Sequence, residues 1–181
     1  MLRKPCSTPS WPSSRLYGHS KKLSGRVKPV FTIGYEQSTA TAFFDALKQA
    51  KVGLLVDVRA VAASRRPGFS KRQLAAGLDE HGIRYVHLQK LGTPKEGRLA
   101  ARGGRPGEML RVYERHLKTP EAKEQLDELT ALAQASRERS GRPLCLLCYE
   151  RDPAHCHRQR LADELHARLG MNIEHLYCTP V

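Results

Sequence analysis

Short apolar runs return along this chain at intervals that leave room for about one helix between each pair, and no other feature constrains the fold as strongly. Val30-Phe31-Thr32-Ile33 halts at Gly34-Tyr35, and Leu54-Leu55-Val56-Asp57-Val58 halts at Arg59. Arg84-Tyr85-Val86-His87-Leu88, Leu144-Cys145-Leu146-Leu147-Cys148-Tyr149 and the run from Ile173 to Tyr177 follow. Runs of this length bounded by turn residues read as strands. The second and fourth are almost continuously apolar, as parallel strands covered on both faces must be.

The intervening segments carry helical stripes. Phe43, Phe44 and Leu47 form one, with Ser38 and Thr39 as candidate caps. Leu74 and Leu78 form another, and Ser70 with Gln73 has the spacing of a capping box. Leu110, Tyr113 and Leu117 mark a third helix, and Leu126, Leu129 and Leu132 a fourth that starts at Thr119-Pro120. Leu161, Leu165 and Leu169 mark the last, with Asp152-Pro153 as its start and Gly170 as its end. Residues 92–107 hold five glycines and two prolines among Arg98, Arg102 and Arg105, and read as a long functional loop. The alternation predicts an α/β fold: three layers, αβα, around a mostly parallel sheet of about five strands.

Residues 29–181 are expected to form that one domain; 181 residues are enough for one core and short for two. Residues 1–28 differ in kind. Arg3, Lys4, Arg15, Lys21, Lys22, Arg26 and Lys28 face no acidic residue there, and Pro5, Pro9 and Pro12 break any periodicity. This segment reads as a flexible basic tail. Its seven charges are part of a formal net charge of +13, so the body is basic too. Such a balance favours nucleic acid, phosphorylated ligands or acidic surfaces as partners. Nothing in the sequence approaches the roughly 20 apolar residues of a membrane span, nor the apolar centre of a secretory signal. Five cysteines, at 6, 145, 148, 156 and 178, are no disulfide framework for this length, and a cytoplasmic location is expected.

Parallel sheets bind ligands beyond the carboxyl ends of their strands. Gly34 and Tyr35, Asp57 and Arg59, His87, the segment Tyr149 to Arg158, and His175 all arrive there. Asp57, late in an apolar strand, requires a partner, and Arg59 two residues on lies on the same face. Arg59, Arg65 and Arg66 are equally suited to hold a phosphate or carboxylate. Beyond the fourth strand, Glu150, Cys156, His157 and Arg158 crowd a strand end and the opening of a helix, where the dipole favours an anion or a thiolate. Neighbouring positions on a helix do not share a face, so His157 is not expected to serve Cys156 as a base. Cys148, His155, Cys156 and His157 supply donors for zinc, a minor alternative. Cys145 and Cys148 point to opposite faces of their strand and are not expected to act together, with Cys145 a small buried hydrophobe. No metal or other cofactor is predicted, and there is no dinucleotide fingerprint or P-loop. Tyr35 and Tyr149 can stack on a ligand ring or roof the core, and His87 and His175 can transfer protons or hold structure.

Thr32-Ile33-Gly34-Tyr35, Val56-Asp57-Val58-Arg59, Ser64-Arg65-Arg66-Pro67-Gly68-Phe69-Ser70, His87-Leu88 with Leu91-Gly92, and Leu147-Cys148-Tyr149-Glu150-Arg151-Asp152-Pro153 followed by Cys156-His157-Arg158 resemble the DUF488 family over about residues 30–176. That resemblance implies a compact α/β fold and a shared site made chiefly of Asp57, Arg59, Arg65, Glu150, Cys156, His157 and Arg158. It assigns no reaction. This chain departs from the family pattern at Tyr35, where a histidine is frequent, and at Tyr149, where a small residue is common.

Two functional classes follow. One is a hydrolase or group-transfer enzyme for a phosphate-bearing substrate, a nucleotide or a nucleic-acid end. In it Asp57, Glu150, Cys156 and His157 are the catalytic candidates, and Arg59, Arg65, Arg66 and Arg158 bind the anion. Gly34, Tyr35, His87 and Tyr149 line its pocket. The other is a noncatalytic nucleic-acid-binding or adaptor protein that uses the tail and the 92–107 segment.

Overall fold

A computed structural model describes residues 28–178, so the expected basic tail lies outside the described residues. Five strands, β1 (Val30–Gly34), β2 (Leu54–Asp57), β3 (Arg84–His87), β4 (Leu144–Cys148) and β5 (Ile173–Leu176), form one sheet in the order β3-β2-β4-β1-β5. All four pairings are parallel. Register aligns Gly34 with Cys148 and Asp57 with both Leu147 and His87. The strand ends singled out in the sequence therefore share one rim.

Helices α1 (Ala40–Gln49) and α2 (Lys71–Glu80) cover one face. There Phe43, Leu47, Leu74 and Leu78 pack on Ile33, Leu55, Cys145 and Leu147. Helices α4 (Pro106–His116), α5 (Pro120–Ala135) and α6 (His157–Leu169) cover the other. Met109, Tyr113, Leu126, Leu129, Leu161 and Leu165 pack there with Val56, Leu146 and Cys148. The strict alternation along β4 explains why that strand is apolar throughout. It also separates Cys145 from Cys148 as expected, and Cys145 is fully enclosed.

Strand order explains the two layers. The chain steps from β1 to β2 to β3 in one direction and, after β3, returns the other way to β4 and β5. Parallel crossovers keep one hand, so reversing direction sends the later helices to the opposite face. The loop leaving β4 thus diverges from those leaving its neighbours β1 and β2, and a crevice opens where it does so.

Three local expectations need correction. Residues 92–107 are not one loop: Pro94 introduces a two-turn helix, α3 (Lys95–Arg102), which packs against α4. Ser70 stands at the start of α2 but caps nothing with its side chain, because its Oγ donates to the Ser64 carbonyl at 3.0 Å and accepts the Ser64 amide. Gln73 accepts the Gly68 amide instead. The third correction bears on the site. Asp152-Pro153 opens only a single 3-10 turn, Pro153–His155, and α6 begins at His157 with Cys156 as its extended N-cap residue. At α1, Thr39 does cap, accepting the Ala42 amide at 3.1 Å.

Candidate functional site

Asp57 and Arg59 meet on the α1/α2 side of the rim. Asp57 is fully enclosed. Its Oδ1 accepts the Arg59 amide and Nε at 3.0 and 2.8 Å, and its Oδ2 accepts Arg59 Nη2 and the Tyr85 hydroxyl at 2.6 and 2.7 Å. Arg59 Nη1 donates to the Tyr35 hydroxyl and the Phe69 carbonyl, both at 2.9 Å. The Arg59 carbonyl in turn lies 2.8 Å from His87 Nε2. Burial opposes the Arg59 charge, but the hydrogen bond and charge of Asp57 outweigh it and hold the guanidinium ionised. Burial and the same carboxylate raise the Tyr85 hydroxyl far above its ordinary value.

Each Asp57 oxygen thus accepts two hydrogen bonds, and Arg59, 4% exposed, directs its Nε and both Nη groups at protein acceptors. Both residues clamp the ends of β1, β2 and β3 to the loop that carries Arg65 and Arg66. Tyr35 stacks on Phe69 at 4.3 Å and roofs the core, and His87 braces the Arg59 backbone.

Arg158 is a second structural cation. It is wholly enclosed, with Nε 3.3 Å from Thr32 Oγ1, Nη1 on the Glu150 carbonyl and Nη2 2.9 Å from the Arg151 carbonyl. Its Nε and both Nη groups thus all meet protein acceptors. His175 Nδ1 meets the same Thr32 hydroxyl at 2.8 Å, which gives this histidine a structural partner at the edge of the sheet. Arg158 ties the segment after β4 across the end of β1, and Gly34 makes the crossing feasible: a Cβ there would sit 1.8 Å from the Glu150 carbonyl oxygen. Glu36 completes the tie by accepting the Arg151 amide at 3.0 Å.

A second cluster of reactive side chains lies on the other face of the sheet. Cys148 at the end of β4, Cys156 at the start of α6 and His157 bring two sulfurs and a ring nitrogen within 4.8 Å of one another. His157 Nδ1 lies 3.6 Å from Cys148 Sγ and 3.9 Å from Cys156 Sγ. Its Nε2 lies 3.0 Å from the Val58 carbonyl, which can only accept, so Nε2 carries the proton and Nδ1 faces the sulfurs. The helical-face rule does not govern this Cys-His pair, because Cys156 (φ −127°, ψ 139°) is extended rather than helical. Burial alone would raise the Cys156 thiol. The hydrogen bond from Cys148, with His157 and Arg158 beside it, outweighs burial and holds Cys156 well below the usual thiol value. Cys148 moves the opposite way, raised by its hydrogen bond to Cys156 and then by burial. Of the two thiols, Cys156 is the one whose surroundings favour the thiolate.

A cleft of about 1170 Å³ opens above this pair. Its walls present Arg65, Arg66, Lys95, Arg98 and Arg102 together with the Asp57-paired Arg59, and the one carboxylate among the described lining residues is Glu150. Arg66 and Arg98 are each steadied by one carbonyl, those of Ser38 and Thr93. Arg65, Lys95 and Arg102 stand exposed. Burial, followed by the charges of Glu36 and Cys156, raises Glu150 to about 7 against the opposing pull of Arg158 and His157. Tyr149, 40% exposed, stands at the rim, edge-on to Tyr35 at 5.3 Å.

Of the expected site, the structure thus gathers Tyr35, Arg59, Arg65, Arg66, Tyr149, Glu150, Cys156 and His157 on one cleft. It places Asp57, Arg158, His87 and Gly34 in the supporting frame. Residues 95–102, the span of α3, carry no hydrophobic stripe, so nothing in the sequence singles out Lys95, and Arg98 and Arg102 read there only as loop cations. Pro94 followed by Glu96 in the first turn was the available signal for that helix.

The three clustered donors, Cys148, Cys156 and His157, are of the types that bind zinc. His155 does not join them: it is exposed and pairs with Asp152 at 3.0 Å.

The family described as "Domain of unknown function DUF488" matches residues 39–165. The chain belongs to the DUF488 family. The match takes in β2 to β4, the loop carrying Arg65 and Arg66, α3 and most of α6; β1 and β5, which the wider resemblance included, lie outside it. No curated protein and no solved structure matches the chain. Among the described residues, no helix is long and apolar enough to cross a membrane.

Proposed function

We propose that this DUF488 protein is a thiol-dependent enzyme that cleaves a phosphate ester, with a nucleotide or a nucleic-acid end as the substrate class. One observation carries the reading: a favoured thiolate, Cys156, sits at the head of α6 on the floor of a cleft walled by six cations. Cations placed around a nucleophile stabilise the charge that develops on a transferring phosphoryl group. Arg65 and Arg102 seize the anion and Tyr149 offers a face to an attached ring.

The Cys156 thiolate attacks phosphorus, forming an S–P bond as the P–O ester bond breaks. Glu150, protonated up to about pH 7, donates its proton to the departing oxygen. The Glu150 carboxylate then takes a proton from water as that water attacks the phosphocysteine. The released products are inorganic phosphate and the alcohol, and Cys156 returns as thiolate.

The reading is tested by phosphate release from a panel of 5′- and 3′-phosphorylated nucleosides and oligonucleotides. Turnover is expected on at least one member, and joint replacement Arg65→Ala and Arg102→Ala should raise KM about tenfold or more with little change in kcat, since each charge-assisted contact contributes about 1.5–3 kcal/mol. A folded protein that turns over none of them, yet binds nucleic acid with a steep salt dependence, is a binding module and not this enzyme.

The pH profile gives a second check. A raised carboxyl pKa leaves the acid form populated below its value, so kcat/KM should fall as pH rises through about 7, where Glu150 loses its proton. In Glu150→Gln that falling limb should vanish and the maximal rate should drop about 10²-fold or more. An unchanged profile would remove Glu150 from proton transfer.

A further inference from the structure

In phosphate-ester cleavage Cys148 only steadies the Cys156 thiolate through its hydrogen bond. Yet Cys148 reaches the same cleft as Cys156, its sulfur is within 4.8 Å of the Cys156 sulfur, and a single imidazole nitrogen faces both. Cys145 shows what a merely space-filling thiol looks like in this strand: it is fully enclosed on the opposite face, with its sulfur 3.8 Å from a backbone carbonyl. The Cys148 thiol instead faces His157 Nδ1 at 3.6 Å and the Cys156 sulfur within 4.8 Å.

We infer that Cys156 and Cys148 form an exchanging dithiol that reduces small anionic disulfides bound in the cationic cleft. The inference shares the Cys156 nucleophile with the proposed function and does not depend on phosphate chemistry. In the first step Cys156 Sγ attacks one sulfur of the substrate; the substrate S–S bond breaks, one thiolate leaves and is protonated by solvent, and a mixed disulfide remains on Cys156. In the second, Cys148 gives its proton to His157 Nδ1 at 3.6 Å and attacks Cys156 Sγ. The second substrate thiolate leaves with that proton, and a Cys148–Cys156 disulfide forms. One substrate disulfide becomes two thiols, and the two electrons come from the protein dithiol, which a small dithiol reductant restores.

Geometry supports each part. Thiolate attack needs a nucleophile poised at the cleft, and Cys156 lies at a helix N-terminus. Closure requires the sulfurs to approach from within 4.8 Å to about 2.05 Å. Cys156 belongs to the extended link between a 3-10 turn and α6, so this movement leaves the sheet in place. Selectivity for anions follows from the six cations on the walls, opposed by one carboxylate.

The test uses the full chain carrying Cys6→Ser, with 5,5′-dithiobis(2-nitrobenzoate) as a dianionic disulfide and cystamine as a cationic one. Each cysteine is read out by peptide mapping, so Cys145 and Cys178 are followed separately. The parent protein is expected to end with a Cys148–Cys156 disulfide and no label on either residue. Cys148→Ser should keep a stable label on Cys156, and Cys156→Ser should react at Cys148 at least tenfold more slowly. The anionic reagent should outpace cystamine about tenfold or more, beyond their intrinsic difference on a free thiol. If the parent retains label on Cys156 without closing the disulfide, the dithiol is overturned and the nucleophile of the proposed function stands. Absence of any reaction at Cys156 overturns both, and equal rates with the two reagents overturn the anionic substrate class.

Discussion

Cys156→Ser is expected to abolish phosphate release, by on the order of 10³-fold or more, while leaving the fold intact. The substitution separates chemistry from stability unusually well because of where Cys156 sits. It is the N-cap residue of α6, and its own side chain makes no capping hydrogen bond. Serine is among the preferred residues at that position, typically worth about 1 kcal/mol over alanine. The swap therefore replaces a thiol held as thiolate by a hydroxyl that is a far weaker nucleophile, and adds a cap for the first turn of α6. Denaturant unfolding should show Cys156→Ser as stable as the parent or up to about 1 kcal/mol more so, whereas Cys156→Ala should gain no such cap. Initial rates on the best substrate give the other half. A Ser variant that keeps more than about a tenth of the parent rate would show that Cys156 is not the nucleophile, whatever its charge state.

The sequence made the sheet legible and left much of the site obscure, for physical reasons that differ by element. β4 was plain because a central strand covered on both faces must be apolar at every position, and Leu144 to Cys148 are all buried. Helix α3 was hidden because its buried side is made of Gly97 and Ala100. Such small residues leave no hydrophobic stripe, and glycines at both ends mimic a loop. With α3 went Lys95 and the placement of Arg98 and Arg102 on the cleft wall.

Polar roles were harder still. Residue types at a strand end announce a site, but they do not say which face of the sheet each side chain takes or which partners it meets. Asp57 and Cys148 end neighbouring strands, yet register places Asp57 beside Leu147, one position short of Cys148. One residue of offset turns the two side chains to opposite faces. The carboxylate consequently joins a sealed network under α1 and α2, and the thiol joins the open cleft. Sequence spacing likewise set Cys156 and His157 on diverging sides of a helix. Their meeting depends on α6 starting one residue later than Cys156, a boundary that Asp152-Pro153 obscured by initiating a separate turn.

Asp57→Ala tests that partition from the other side, and the largest loss of stability is expected there. The carboxylate accepts three hydrogen bonds from Arg59 and one from Tyr85. Its removal leaves a guanidinium with 4% exposure and no anion beside it. Breaking a buried ion pair from one side costs about 3–5 kcal/mol, because the remaining charge stays desolvated. For a chain of this length that corresponds to a fall in Tm of roughly 6–20 °C. Replacing both partners, Asp57→Val with Arg59→Met, removes the stranded charge, and the double variant should be more stable than Asp57→Ala by about 1 kcal/mol or more. Thermal unfolding of the three proteins, with turnover measured well below the lowest Tm, decides between frame and catalyst. A frame residue loses stability first and keeps most of its rate while folded. Were Asp57→Ala instead to cost under about 1 kcal/mol and silence turnover, the carboxylate would have to leave its network during the reaction, and Asp57 would return to the catalytic group.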